Sequence, residues 1–118
     1  MNIEELRDHC LSKKGTEESF PFDEQTLVFK VMGKIFLLTD IESKPLQFNA
    51  KCDPDTAIAL REKFNCVKPG YHMNKKHWNT ITCDGSVTER MIKDWVDHSY
   101  DMVVKAFPAK LKKELELL

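Results

Sequence analysis

No apolar run in this chain approaches the roughly 20 residues that a membrane-spanning helix requires, and the longest, Ile35–Leu38, is only a strand's length. The acidic, polar opening Met1-Asn2-Ile3-Glu4-Glu5 does not read as a signal peptide. Cys10, Cys52, Cys66 and Cys83 form no CxxC pair, which argues against a zinc ribbon, and they are too sparse for a secreted disulfide scaffold. Reduced thiols and a cytoplasmic location are the expectation. The chain also lacks a P-loop, GxGxxG, GxSxG and HExxH, and with them the common signatures of phosphate, dinucleotide, acyl-transfer and metalloprotease chemistry. There is no repeat, low-complexity tract or internal linker.

Nor is there an excess of charge of one sign. The formal net charge is −1, so no global field draws in a polyanion. The balance is uneven along the chain, however. Residues 1–59 carry 7 Lys/Arg against 11 Asp/Glu, and residues 60–118 carry 11 against 8. Any contact with nucleic acid must come from a local patch. The length of 118 residues suits a single domain over 1–118, expected to be a monomer.

Periodicity divides the chain into elements. Asn2 with Glu5 forms a capping box, Ile3, Leu6 and Cys10 recur on one helical face, and Gly15 ends that helix. Thr16 to Gln25, with Pro21 between Phe20 and Phe22, reads as a loop that buries its aromatics. From Thr26 the period becomes two: Leu27, Phe29 and Val31 alternate, Gly33-Lys34 makes a tight turn, and Ile35 to Thr39 continue as a second strand. After Glu42–Pro45, Leu46, Phe48, Ala50 and Cys52 alternate in a third. Asp53-Pro54 starts a helix with Ala57, Leu60 and Phe64 inward. A short strand follows at Asn79–Cys83. Ser86 with Glu89 reads as a second capping box, and Ile92, Trp95, Val96, Ser99, Val103 and Phe107 recur at helical spacing. Pro108 separates this helix from a short one over Ala109–Leu118. The fold class is α+β, an antiparallel sheet with helices on one face.

The densest chemistry lies in Lys68–Thr80, where three lysines, two histidines, Tyr71 and Trp78 crowd a segment whose one purely apolar residue is Met73. Cations interleaved with rings suit a polyanion bearing stackable bases. The same composition also suits a solvated connector anchored by Trp78 and Tyr71. His72 and His77 are five apart with no adequate further ligands, so no metal or other cofactor is expected. No nucleophile is coupled to a base, so the chain reads as non-enzymatic, with no catalytic residues.

Ser19-Phe20-Pro21-Phe22-Asp23, Phe29–Phe36, Pro69-Gly70-Tyr71-His72, Asn74–Trp78 and Ser99-Tyr100 together, in this order from about residue 3 to about residue 107, resemble the MmcQ/YjbR family. The resemblance implies a CyaY-like (frataxin-like) fold and a DNA-binding protein of double-wing type, its strand hairpins serving as wings. Lys30, Lys34, His72, Asn74, Lys75, His77 and Trp78 carry over by position, and iron binding does not. With the residues read directly, the candidate DNA-binding set is Lys30, Lys34, Lys68, Tyr71, His72, Asn74, Lys75, Lys76, His77 and Trp78. The alternative is a protein- or small-ligand-binding domain. In it the basic segment is a structural clasp, with Asn74 and His77 turned inward and Trp78 filling the core.

Overall fold

The computed structural model describes residues 1–70 and 73–118. Among the described residues ten elements follow one another: α1 (Ile3–Leu11), β1 (Thr16–Ser19), β2 (Thr26–Val31), β3 (Lys34–Asp40), β4 (Gln47–Lys51), α2 (Pro54–Lys63), β5 (Val67–Pro69), β6 (Trp78–Thr82), α3 (Glu89–Lys105) and α4 (Ala109–Glu116). The strands form one antiparallel sheet in the order β1-β2-β3-β4-β6-β5. β1 to β4 make a meander. The chain then passes through α2 to the far edge, and β6 returns between β5 and β4.

Local chemistry accounts for most boundaries. The Asn2 side chain accepts the Glu5 N–H while Glu5 accepts the Asn2 N–H, closing the expected capping box. Asp53 caps α2 and Pro54 occupies its first turn. The β2–β3 turn is Met32-Gly33, one residue earlier than the sequence suggests. Both residues have positive φ, 49° and 83°, as a two-residue hairpin turn requires.

Three expectations need correction. Thr16–Ser19 is not loop but the edge strand β1, paired with Ser19 opposite Val28 and Thr16 opposite Val31. The aromatics after it are not buried: Phe20 is 46 % exposed and Phe22 65 %. The cap of α3 is Thr88, whose hydroxyl accepts the Met91 N–H, whereas Ser86 belongs to a preceding Asp84-centred turn.

The helices pack on one face of the sheet. Phe29, Leu37, Phe48, Ala50 and Ile81 point to that side and share one core with Leu6, Cys10, Ile92, Val96 and Val103. A bulge at Phe36 is essential to this arrangement. Phe29 pairs with Leu37 but Lys30 pairs with Ile35, so Phe36 is the extra residue. Phe36 and Leu37 therefore both enter the core, and Phe36 meets the Tyr100 ring edge-on at 5.4 Å. The β3–β4 ladder ends at Leu37 opposite Ala50. Just beyond it, buried Ser99 of α3 donates its hydroxyl to the Phe36 carbonyl and accepts the Lys51 N–H at 2.7 Å.

No described cysteine is disulfide-bonded: Cys10, Cys52 and Cys66 are buried and Cys83 half-buried. Burial pushes the Cys10 thiol up to about 12 and those of Cys52 and Cys83 up to about 11. No helix among the described residues is long and apolar enough to cross a membrane.

Two outcomes follow. Ser99→Ala strands a buried carbonyl, at about 1–3 kcal/mol, and leaves the part-buried Lys51 N–H without this acceptor, so the melting temperature should fall by several degrees; an unchanged melt would show that both groups find other partners. Thiol alkylation of the native protein at pH 8 should leave Cys52 and Cys83 reacting much more slowly than an ordinary thiol, whose pKa is about 8.5, and Cys10 more slowly still. Denaturant should release all four cysteines. Fast labelling of Cys10 without denaturant would contradict its burial.

Candidate nucleic-acid interface

Strand register brings the sequence-predicted residues to one end of the sheet. β2 runs into the Met32-Gly33 turn, β3 starts at Lys34, β4 finishes at Lys51, and Trp78 opens β6 directly opposite Lys51. β5 finishes at Pro69, opposite Asn79. Two hairpins, β2–β3 and β5–β6, thus turn at the same end. Neighbouring strands lie about 4.8 Å apart, which puts β3 and β6, two strands apart, roughly 10 Å from each other.

Lys30 lies on β2 with its side chain on the face away from the helices, half-buried and opposite Glu17 and Ile35. Lys34 is exposed beside the turn. Lys68, also exposed, lies on β5 in a cross-sheet row with Thr80, Asn49, Leu38 and Val28, on the same face as Lys30. Lys75 and Lys76 are exposed in the β5–β6 segment. Lys51, not selected from the sequence, joins them from β4. None of these six lysines makes an ion pair among the described residues. Tyr71 and His72 lie outside the described residues.

Asn74, His77 and Trp78 serve the fold of the segment. The Asn74 carboxamide oxygen accepts the Lys76 N–H at 2.9 Å, and its carbonyl accepts the His77 and Trp78 N–H groups at 3.1 and 3.0 Å. The His77 carbonyl accepts the Cys52 N–H at 2.7 Å, tying the segment to the end of β4. The half-buried His77 ring has its Nδ1 out of solvent and without a hydrogen-bond partner among the described residues. Trp78 is half-buried. Its carbonyl accepts the Gly70 N–H at 2.8 Å, and a Cβ on Gly70 would stand 2.9 Å from the Trp78 Cβ, so only glycine fits there.

Sequence reasoning missed Arg61, the residue that holds this segment to the rest of the protein. Its Nε donates to the Asn79 Oδ1 at 2.6 Å, and its Nη2 donates to the Lys75 carbonyl and to the Trp78 carbonyl at 3.2 Å. Asn79, 1 % exposed, is the matching clue: a buried carboxamide within a strand needs a partner. Asp53 caps the start of the same helix. The Thr56 N–H at its carboxylate holds it below the usual carboxylate range, so it stays ionised.

Among the described residues no group of three or more His, Cys, Asp or Glu side chains could hold a metal. The space between α2, α3 and the sheet, lined by Cys52, Leu60, Trp95 and His98, is about 40 Å³.

The family model YjbR matches residues 11–102. The uncharacterized protein YjbR of Escherichia coli K12 is 34 % identical over 116 residues, covering 98 % of both chains. The uncharacterized protein YbdF of E. coli O157:H7 is 34 % identical over 100 residues, 84 % of this chain and 81 % of its own. Among solved structures, a Deinococcus radiodurans protein with a DUF419 domain superposes with a TM-score of 0.92 at 40 % identity, covering 98 % of this chain and 88 % of that one. A Pseudomonas syringae protein shares the fold at a TM-score of 0.74 and 24 % identity, over 86 % of this chain and 98 % of its own.

Replacing Arg61 tests the anchoring. Lysine keeps the charge but cannot reach three acceptors in two directions. Arg61→Lys should cost about 1.5–3 kcal/mol, the value of hydrogen bonds to a charged group. Amide exchange should speed up at Trp78 and Cys52 before the rest of the sheet loosens. Unchanged protection there would mean that the segment holds its own shape.

Proposed function

The chain belongs to the YjbR family, and from that premise we propose that it is a non-catalytic DNA-binding protein of the cytoplasm. In this reading the lysine-bearing end of the sheet meets the phosphates. The observation that carries it is the register that turns two hairpins at one end and sets Lys34, Lys51, Lys75 and Lys76 there without ion-pair partners among the described residues. The roughly 10 Å between β3 and β6 is close to the width of a major groove, about 12 Å, so the two tips suit phosphates on either side of it.

The roles within the set differ from those the composition suggests. Lysines contact phosphate, whereas Asn74, His77 and Arg61 shape the segment that carries two of them. With a handful of cations and no excess positive charge, binding is modest in affinity and sensitive to salt. Free, buried thiols accord with a reducing compartment.

One observation favours the other reading, a protein- or small-ligand-binding domain with this segment as an internal clasp. The polar groups of Asn74 and the backbone of His77 and Trp78 are already engaged inside the protein. Both readings share that scaffold and differ in what the exposed lysines meet.

A salt-series titration with duplex DNA separates them. Lys75→Ala with Lys76→Ala should weaken binding to all duplexes alike and flatten the slope of log affinity against log salt by about 1.8, since each phosphate contact contributes about 0.9. Stability should hardly change, because the lysines are exposed. Lys112→Ala with Lys113→Ala on α4 is the control of equal charge; an equal effect would reduce the result to net charge. Absence of duplex binding even at low salt would leave the clasp reading.

A further inference from the structure

The opposite end of the sheet carries a surface of different chemistry. There β1 ends at Ser19, β2 begins at Thr26, β3 ends at Asp40 and β4 begins at Gln47, with the N-terminal turn of α1 alongside. Ile3, Phe20, Leu27 and Ile41 line a groove of about 520 Å³ between α1 and this corner of the sheet. Leu27 is its floor at 3 % exposure, while Phe20 and Ile41 stand at the rim, 46 % and 37 % exposed, and Phe22, two residues after Phe20, is 65 % exposed. Large aromatic side chains left in water at the edge of a concavity are an unfilled contact surface.

Charge indicates what would fill it. Arg7, on the groove wall, is already committed, its Nε and Nη2 binding the two Glu18 carboxylate oxygens at 2.9 and 2.5 Å. Glu4 on α1, Asp23 and Glu24 after Phe22, and Asp40 and Glu42 around Ile41 are exposed carboxylates. Only Lys44 offsets them in the turn between β3 and β4. Asp23 accepts the Gln25 and Thr26 N–H groups at 2.8 and 2.6 Å, and Asp40 accepts from the Gln25 carboxamide at 2.9 Å. These carboxylates are thus fixed at the same end of the sheet, where they line a separate concavity with Glu24, while Glu4 stands on the groove itself. An apolar slot at an end of the sheet rich in exposed carboxylates complements an apolar side chain flanked by cations and disfavours an acidic one.

We propose that this groove is a docking site for a basic segment of a partner protein, which seats one large apolar side chain between Phe20 and Ile41 with Lys or Arg on either side. The site is independent of the DNA reading. It lies a sheet's length from the lysines and uses none of them.

The probe is a synthetic peptide with one leucine flanked on each side by two lysines, titrated into the isotope-labelled full chain and followed by amide shifts. Saturable shifts should appear at Ile3, Phe20 and Ile41. They should disappear when the lysines are replaced by glutamates or the leucine by alanine. Phe20→Ser with Ile41→Ser should weaken binding about tenfold, as expected for losing roughly one buried aliphatic contact. Glu4→Lys with Glu42→Lys, a surface change that leaves the apolar wall intact, should weaken it by at least as much. Equal binding of the glutamate peptide, shifts centred elsewhere, or undiminished binding by both double variants would overturn the proposal. So would a concentration-dependent dimer of the wild type that Phe20→Ser with Ile41→Ser abolishes, because the occupant would then be a second copy of this chain.

Discussion

The hydroxyl of Ser99 is the point on which the lysine-bearing end of the sheet depends. The bulge at Phe36 lets two successive large side chains enter the core, but it takes the β3 backbone out of step with its neighbours. The Phe36 carbonyl and the Lys51 N–H lie just past the last β3–β4 pair, in an interior where an unpaired polar group is expensive. Ser99 satisfies both from α3. One turn of helix is thereby locked to β3 and to β4, the second of which pairs with the start of β6. A neighbouring bond from the Asp53 N–H to His98 Nε2, 3.2 Å long, extends the same junction to the start of α2. Helical layer, bulged hairpin and the origin of the β5–β6 segment are positioned by one small side chain and its neighbour.

Much of this was legible in the sequence, and the exceptions have physical reasons. The capping box at Asn2 and the Asp53-Pro54 start are local signals that act through adjacent backbone groups, so tertiary structure had no occasion to override them. The alternation in β2, β3 and β4 reflects a sheet buried on one side by helices. β1 escaped notice because Thr16–Ser19 contains no apolar residue; it is a strand only because β2 offers it a ladder. β5 is three residues long and ends in proline, below any periodicity. Phe20 and Phe22 were expected inside on the general tendency of aromatics to be buried, which says nothing about a particular pair. Ser86 and Thr88 are equivalent as cap chemistry, and the Asp84-centred turn decided between them.

The candidate site was legible as a list of residues but not as a division of labour. Composition marks Lys68–Thr80 as unusual, and nothing in composition tells the lysines that face water from the Asn74 that shapes their backbone. Arg61 was invisible for a related reason: a long cationic side chain on a helix is ordinarily read as solvated. Its engagement depends on the return of β6 beside α2, a contact between residues far apart in the chain. The charge asymmetry between the two halves of the sequence likewise becomes meaningful only after folding, which collects Lys34, Lys51, Lys75 and Lys76 at one end and Asp23, Asp40 and Glu42 at the other. A chain of nearly zero net charge is thus strongly polar along its strands.

The short outer strand β5 has a consequence for how copies of this protein can meet. A sheet edge is a template on which another chain can add a strand, and its capacity depends on how many free N–H and C=O groups it presents. β5 offers three residues, and the last, Pro69, has no N–H. Growth of the sheet is therefore obstructed on the side nearest Lys68. Neighbouring molecules that meet at this edge stand side by side without fusing into a continuous ribbon.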